Sequence, residues 1–394
     1  MYKRVMAGTI AKRLREKRRF IQVILGPRQV GKTTAIQQVI KEIETASHYA
    51  SADLPAPPDT QWITMQWELA RMKAGEKAKV ILILDEIQKV ARWANEVKRL
   101  WDEDHRLGNN IHVVILGSSS LLIQKGLNES LAGRFELIRF PHWSWEEMRD
   151  CFSLPLEKYV FFGGYPASAS LIDDEYRWSQ YIRDSLIETA ISKDILLLNR
   201  VEKPVLLRQL FVLSCEYGGQ ILSYQKILGQ LNDVGNTVTI AHYQKFLEGA
   251  FLIRGLQKWS GNTLRLRNSS PKWLPLNPAL LTALSNRTFE EYRGDPVMWG
   301  RLVEVAVGAH LVNKGDSEGI EVYYWREGND EVDFVLRRGN NITAIEVKSG
   351  PKQGMPHGLT AFKKIYPRAK TLIIGLSGMN LRDFFEMPIV KFVS

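Results

Sequence analysis

The sequence predicts an α/β protein of several domains, opening with a parallel sheet that carries helices on both faces. Three observations predict it. Apolar strand-like runs alternate with helical segments through the first 140 residues. A glycine-rich loop of the phosphate-binding kind joins the first run to the first long helix. Two acid-bearing strands then occur close together near the C-terminus.

Composition bounds the rest. A chain of 394 residues, 45% hydrophobic and 24% charged, has the make-up of an ordinary globular protein with room for several cores. No apolar stretch reaches bilayer-spanning length, and Met1-Tyr-Lys-Arg lacks the apolar centre of a secretory signal. Cys151 and Cys215 are too few for a disulfide framework, so a cytoplasmic location is expected, with no membrane partner. A net charge of +10 and a pI near 9.4 point to a polyanionic partner, nucleic acid before membrane. Between Lys3 and Arg19 stand eight basic residues and one acid, Glu16, either a partner contact or a solvated helix face.

The elements follow in order. Ile21–Leu25 is a strand, and Gly26-Pro27-Arg28-Gln29-Val30-Gly31-Lys32-Thr33 completes the pattern GxxxxGK[ST] before a helix from Thr33 to Glu44. Such a turn aims backbone N–H groups and a helix N-terminus at one point, where a triphosphate can sit. Gly26 through Thr34 therefore form the expected ATP cradle. Lys32 would reach the β and γ phosphates, and the Thr33 hydroxyl would ligate Mg²⁺. His48–Ala52 reads as a short strand, and Pro55, Pro57 and Pro58 then interrupt regular structure. After a helix over Trp62–Ala74, the apolar strand Val80–Leu84 runs into Asp85-Glu86. Asp85 is the expected second Mg²⁺ ligand and Glu86 the carboxylate that polarises the attacking water.

A helix over Trp93–Leu107 precedes the strand Ile111–Leu116, which ends in Gly117-Ser118-Ser119-Ser120. Ser118 or Ser119 would hold the γ-phosphate or the water, unless these serines only cap the next helix. Arg134, just before the last strand, Glu136–Phe140, is either a finger reaching into a neighbouring subunit or a plain surface arginine.

The segments GPRQVGKTT, LDEIQK, LGSSS, SLAGRFE and GGYP resemble those of prokaryotic AAA-type P-loop ATPases with a DUF4143-type C-terminal region. The resemblance is dense over residues 20–200 and continues to the C-terminus. It implies a helical lid beyond the ATPase core, with Tyr165 and Pro166 of Gly163-Gly164-Tyr165-Pro166 beside the adenine.

Residues 203–260 have another rhythm: helices over Val205–Cys215, Ser223–Leu231 and Thr239–Leu247, a turn at Asn232–Asn236, and a strand from Ala250. That is the layout of a winged helix-turn-helix. Thr239, His242, Tyr243 and Lys245 are its candidate groove contacts, unless the element serves only for packing. Further on, Glu304 lies in a helix, Asp333 on a strand, and Glu346-Val-Lys348 closes the next strand. The order resembles the PD-(D/E)xK nuclease fold. Period-two alternation puts Glu346 and Lys348 on one face, where Glu304, Asp333 and Glu346 would share a second divalent ion, Mg²⁺ or Mn²⁺, and Lys348 would act on the attacking water. One position departs from the family pattern: Asn277 stands where relatives usually have Asp.

The expected organisation is an ATPase core at 1–142, a lid at 143–200, a winged helix at 201–262 and a nuclease-like domain at 263–394. The leading expectation is a homo-oligomeric, ring-forming ATPase that acts on duplex or branched DNA with little sequence preference. Two alternatives stay open: a STAND-like regulatory switch, and a nuclease fold retained only for binding.

Overall fold

Four apolar residues and one glutamine, Ile21-Gln22-Val23-Ile24-Leu25, form β1, and all five are buried, as a strand covered on both faces must be. The computed structural model describes residues 2–74, 78–118, 120–197, 200–231, 236–261, 269–348, 355–376 and 378–394. Two compact units emerge: Met1–Phe140 with Leu197–Asn199, and Pro141–Leu196 with Arg200–Ser394.

The first unit runs α1 (Val5–Arg15), β1, α2 (Lys32–Ile43), β2 (Ala46–Ser51), α3 (Thr60–Ala74), β3 (Val80–Asp85), α4 (Trp93–Leu107), β4 (Ile111–Gly117), α5 (Ser120–Ser130) and β5 (Phe135–Arg139). The sheet is parallel throughout, in the order β2-β3-β4-β1-β5. β3 and β4 are buried along their whole length, like β1. The chain leaves β1, crosses β4 and β3, and enters β2 at the sheet edge, so the carboxyl ends of β1, β3 and β4 face a crevice at a topological switch point. Helix ends differ from the sequence expectation by a residue or two, the usual uncertainty of a fraying terminus.

The second unit begins with α6 (Trp145–Phe152), α7 (Leu156–Phe162) and α8 (Glu175–Gln180), the last continuing into π-helical turns over Tyr181–Ile187 and Ala190–Leu196. α6 starts on a full capping box, in which Ser144 and Glu147 exchange side-chain and backbone hydrogen bonds. Then come α9 (Pro204–Glu216), α10 (Tyr224–Leu228), α11 (Thr237–Gly249), β6 (Ile253–Leu256) and β7 (Lys272–Pro275). β6 and β7 pair antiparallel, so three helices and a hairpin make the winged-helix layout. Ser223 caps α10, its hydroxyl accepting the Lys226 N–H at 3.2 Å. The turn expected at Asn232–Asn236 falls largely outside the described residues.

α12 (Pro278–Thr282) and α13 (Phe289–Gly294) lead into α14 (Pro296–Glu318), which Asp295 caps through the N–H groups of Val297 and Met298. A four-stranded mixed sheet follows: β8 (Glu321–Glu327), β9 (Asp330–Arg338) and β10 (Asn341–Lys348) are antiparallel. After α15 (His357–Ile365), β11 (Lys370–Gly375) adds parallel to β10, and α16 (Leu381–Glu386) closes the regular structure. The helix with Glu304, the strand with Asp333 and the next strand with Glu346 and Lys348 come in the order that the resemblance to PD-(D/E)xK nucleases implies.

Candidate nucleotide-binding site and buried acidic cluster

Backbone geometry builds the loop between β1 and α2. A Cβ on Gly26 would lie 1.9 Å from the Phe140 carbonyl oxygen, so only glycine fits there. Gln29 and Gly31 take left-handed conformations, φ 58° and 86°, which turn the chain into α2. Lys32 is buried and donates to the loop carbonyls of Gly26 at 2.9 Å and Pro27 at 2.7 Å. Its ammonium thus stands inside the cradle, over the loop it would share with phosphate. Arg4, also buried, donates to the Val30 carbonyl at 3.1 Å and lies 4.6 Å from the centre of the Phe140 ring, which fixes the loop from behind.

The carboxyl ends of β3 and β4 supply the partners. The Thr33 hydroxyl donates to Asp85 Oδ2 at 3.2 Å, and the Tyr49 hydroxyl donates to the same oxygen at 2.7 Å. Burial and the Asp85 charge raise the pKa of Tyr49, so it stays a donor. Glu86 adopts φ 54°, a strained choice for a non-glycine residue and one that aims its side chain across the crevice. One of its oxygens, Oε2, accepts from Gln88 Nε2 at 2.6 Å and from the Ser118 hydroxyl at 3.1 Å, with Arg28 Nη2 at 4.0 Å. Thr33, Asp85, Glu86 and Ser118 are therefore brought together around the Lys32 loop. Thr34 follows, half-buried, on α2. Ser119 lies outside the described residues. Tyr49 and Arg4 are additions that no local motif announces, and Gln88 lies in the LDEIQK segment without having been given a role there.

Arg134 is elsewhere in the same unit. It precedes β5, whose Phe135 is in register with Ile21 at the start of β1, so it lies at the opposite end of the strands from the loop. Its guanidinium makes a two-pronged pair with Asp102 of α4, at 2.8 and 3.0 Å. The basic N-terminal stretch is also partly spoken for. Arg15 pairs with Glu42 at 2.9 Å, and Arg18 donates to the carbonyls of Trp101 and Ile111 while stacking 3.6 Å from the centre of the Trp101 ring.

Tyr165 and Pro166 belong to the second unit. Tyr165 is buried there, edge-on to His142 with ring centroids 5.3 Å apart, and Pro166 opens a 3₁₀ turn. The glycines before them are locked in place: the Gly164 N–H donates to Asn277 Oδ1 at 3.2 Å, and a Cβ on Gly163 would fall 1.9 Å from that oxygen. Asn277 also caps α12 and meets His142 Nδ1 at 3.3 Å. The departure at 277 thus touches this turn, and none of those partners is an acidic-cluster residue. In the winged helix, His242 and Lys245 are exposed, and Thr239 bonds to its own cap, Asn236. Tyr243 needs correcting as a groove contact. It is buried, with its hydroxyl accepting the Lys203 N–H at 3.0 Å, because helical periodicity turns it inward beside Phe246.

The acidic residues of the C-terminal sheet do converge, but around a lysine. Lys272 of β7 is fully buried, with its Nζ 2.6 Å from Glu304 of α14, 3.4 Å from Asp333 of β9 and 3.8 Å from Glu331. Asp333 Oδ2 accepts the Val347 N–H at 2.8 Å, which ties β9 to β10. Glu346 pairs with Lys348 at 2.6 Å, and its other oxygen, Oε2, is buried without a hydrogen-bond partner. Burial and the neighbouring Asp333 charge push the carboxyls of Glu304 and Glu346 up to about 7. Burial alone would lower Lys272, yet the Glu304 and Asp333 charges outweigh it and raise its pKa. Among the described residues no group of three or more His, Cys, Asp or Glu is disposed to hold a metal ion.

A phosphate-binding loop on β1 of a parallel sheet, faced by an Asp-Glu pair on β3, defines the P-loop ATPase class. The comparisons narrow it. Residues 18–149 match the family described as AAA domain, residues 154–291 a domain of unknown function (DUF8612), and residues 299–390 a domain of unknown function (DUF4143). The chain thus carries an AAA-type ATPase-family domain, with a DUF4143 region towards the C-terminus. An uncharacterised protein of Mycobacterium tuberculosis is 27% identical over 335 residues, covering 83% of this chain and 70% of its own. An uncharacterised protein of Methanocaldococcus jannaschii is 25% identical over 351 residues, covering 83% and 74%. Among solved structures, the Thermotoga maritima RuvB Holliday junction branch migration motor is similar over 64% of this chain and 86% of its own, at 16% identity and TM-score 0.34. The Aeropyrum pernix ORC1 protein in complex with DNA covers 73% and 92%, at 15% and 0.33. At such scores neither likeness carries weight here. Among the described residues no helix is long and apolar enough to cross a membrane.

Proposed function

We propose that this protein binds and hydrolyses ATP with Mg²⁺ and uses the cycle to act on DNA. The observation that carries the ATPase reading is the meeting of Thr33 and Asp85 at 3.2 Å beside the Lys32 loop. Those two oxygens are the ligands a Mg²⁺–ATP complex takes from a P-loop protein. On binding, Lys32 would exchange its two carbonyl partners for phosphate oxygens, while the N–H groups of the loop and of the α2 N-terminus hold the rest of the triphosphate. Mg²⁺ would neutralise developing charge on the phosphates. Glu86 would polarise the attacking water, and Ser118, already bonded to Glu86, would couple that carboxylate to the γ-phosphate position.

DNA is the partner favoured by the +10 net charge and by the winged-helix layout of α9 to β7. The C-terminal sheet is read as a grip on duplex or branched DNA. Cleavage by a divalent ion at Glu304, Asp333 and Glu346 is the competing reading, favoured by the unpartnered Glu346 Oε2. Cutting that requires Mg²⁺ or Mn²⁺ and vanishes in Asp333→Ala and Lys348→Ala, with ATPase activity intact, would establish it. The two free cysteines, Cys151 and Cys215, accord with a cytoplasmic setting.

The deciding experiment is ATP turnover with and without single-stranded, duplex and branched DNA. Lys32→Ala should abolish turnover, and Glu86→Gln should bind ATP yet hydrolyse it roughly a hundredfold more slowly or worse. Parent-like turnover by Glu86→Gln would remove that residue from its role. Turnover indifferent to every DNA form would favour a STAND-like switch instead.

A further inference from the structure

Lys272 belongs to none of the motifs that the sequence displays, yet it occupies the centre of the acidic cluster. An ammonium with no solvent exposure is costly unless carboxylates surround it, and closely packed carboxylates are costly without a cation. Each explains the other here. Nζ is 2.6 Å from Glu304 Oε1 and 3.4 Å from Asp333 Oδ1, and it also donates to the Asp333 carbonyl at 3.3 Å. The Phe334 ring closes one side, its centre 5.0 Å away. A divalent ion needs the same Glu304 and Asp333 oxygens at about 2.0 to 2.6 Å, so it and the ammonium cannot both have them. Glu346 is turned to another internal cation, Lys348, at 2.6 Å. The residues present do not fit a bridging metal.

We propose that Lys272 is a built-in cation that takes the place of the divalent ion in this nuclease-like domain, so that the cluster binds no metal. This deepens the grip reading of the same domain. Charge that a nuclease would neutralise with a dissociable ion is neutralised from within, by a residue the winged-helix hairpin contributes. The polyanion then meets a less acidic surface, and Lys348, whose side chain is 36% exposed while it pairs with Glu346, stands at its edge. On this reading the cluster offers no metal-assisted cleavage.

The test uses the full chain, free of nucleotide, with Asp85→Asn to silence the other divalent site, and follows Mn²⁺ by electron paramagnetic resonance. DNA plays no part in the assay, so failure of the DNA reading would leave it untouched. In this background, adding Asp333→Asn should not change Mn²⁺ binding. Adding Lys272→Met, which keeps length and removes charge, should create about one equivalent of binding that is at least about tenfold tighter, and Mn²⁺ should raise its melting temperature. The proposal is overturned if the Asp85→Asn background binds an equivalent of Mn²⁺ that Asp333→Asn or Glu346→Gln removes. It is equally overturned if folded Lys272→Met gains no binding. Should Lys272→Met not fold, the titration of the background protein decides alone.

Discussion

Tyr49 and Thr33 share one oxygen of Asp85, which makes Tyr49 a positioning residue for the proposed Mg²⁺ site rather than a participant in the chemistry. Tyr49→Phe should therefore raise the Mg²⁺ concentration needed for half-maximal turnover by roughly tenfold, about the lower worth of one hydrogen bond to a charged group, with kcat at saturating Mg²⁺ nearly unchanged. An unaltered Mg²⁺ dependence would remove that role. A second residue-scale expectation concerns Glu304 and Glu346, whose carboxyls are pushed up from the ordinary 4.5 to about 7. A group that holds its proton longer when folded gives its stability below its unfolded value and loses it as pH rises through the folded one. The urea midpoint of the parent, relative to Glu304→Gln or Glu346→Gln, should therefore fall between about pH 4.5 and 7. A rising difference would contradict the burial assigned to them. Glu346, like Lys32, Thr33, Asp85 and Glu86, was legible in the sequence because fixed spacing on one strand or one loop defines it, whereas Glu304 was reached only through the order of acids in the nuclease resemblance. Lys272 was not legible, because its partners come from α14 and β9, far away along the chain.

At the scale of elements, β1, β3 and β4 were readable because full burial demands largely apolar runs, interrupted here only by Gln22 in β1 and His112 in β4. β7 was not. Lys272-Trp-Leu-Pro275 carries a lysine and a proline, poor strand residues, and its hairpin partner β6 lies across a long connection. A boundary drawn at residue 262 therefore separates β7 from the hairpin it completes. The same element logic divides the candidate contacts of α11. His242→Glu with Lys245→Glu changes an exposed face, so it should leave folding intact and weaken DNA binding with a shallower salt dependence. Tyr243→Ala opens a hole beside Phe246 and should instead cost about 3 kcal/mol of stability, read by urea denaturation. Equal DNA affinity in the double variant would assign the winged helix to packing alone.

For the whole molecule the open question is whether one chain makes a complete ATPase, and Arg134 decides it. It sits at the end of the strands opposite the loop, so no side-chain rotation brings it to the phosphates of its own subunit. A role at the phosphates would therefore require a neighbouring subunit. The pair it makes with Asp102 is about one-third exposed on the arginine side and somewhat more on the acid, and pairs of that kind are worth about 1 kcal/mol or less. Removing the arginine should thus leave the fold almost unchanged, and a loss of activity reads catalysis rather than stability. If Arg134 acts as a finger in trans, turnover per subunit should rise with protein concentration, and Arg134→Ala should lower it by about a thousandfold. Asp102→Ala separates the two roles, since it breaks the same pair while keeping the finger and should retain most of the activity. Mixing Arg134→Ala with Lys32→Ala subunits should then restore turnover that neither has alone, because one kind offers an intact loop and the other an intact arginine. A protein that stays monomeric at full activity, or in which Asp102→Ala and Arg134→Ala are equally impaired, would return Arg134 to the surface role its ion pair already fills.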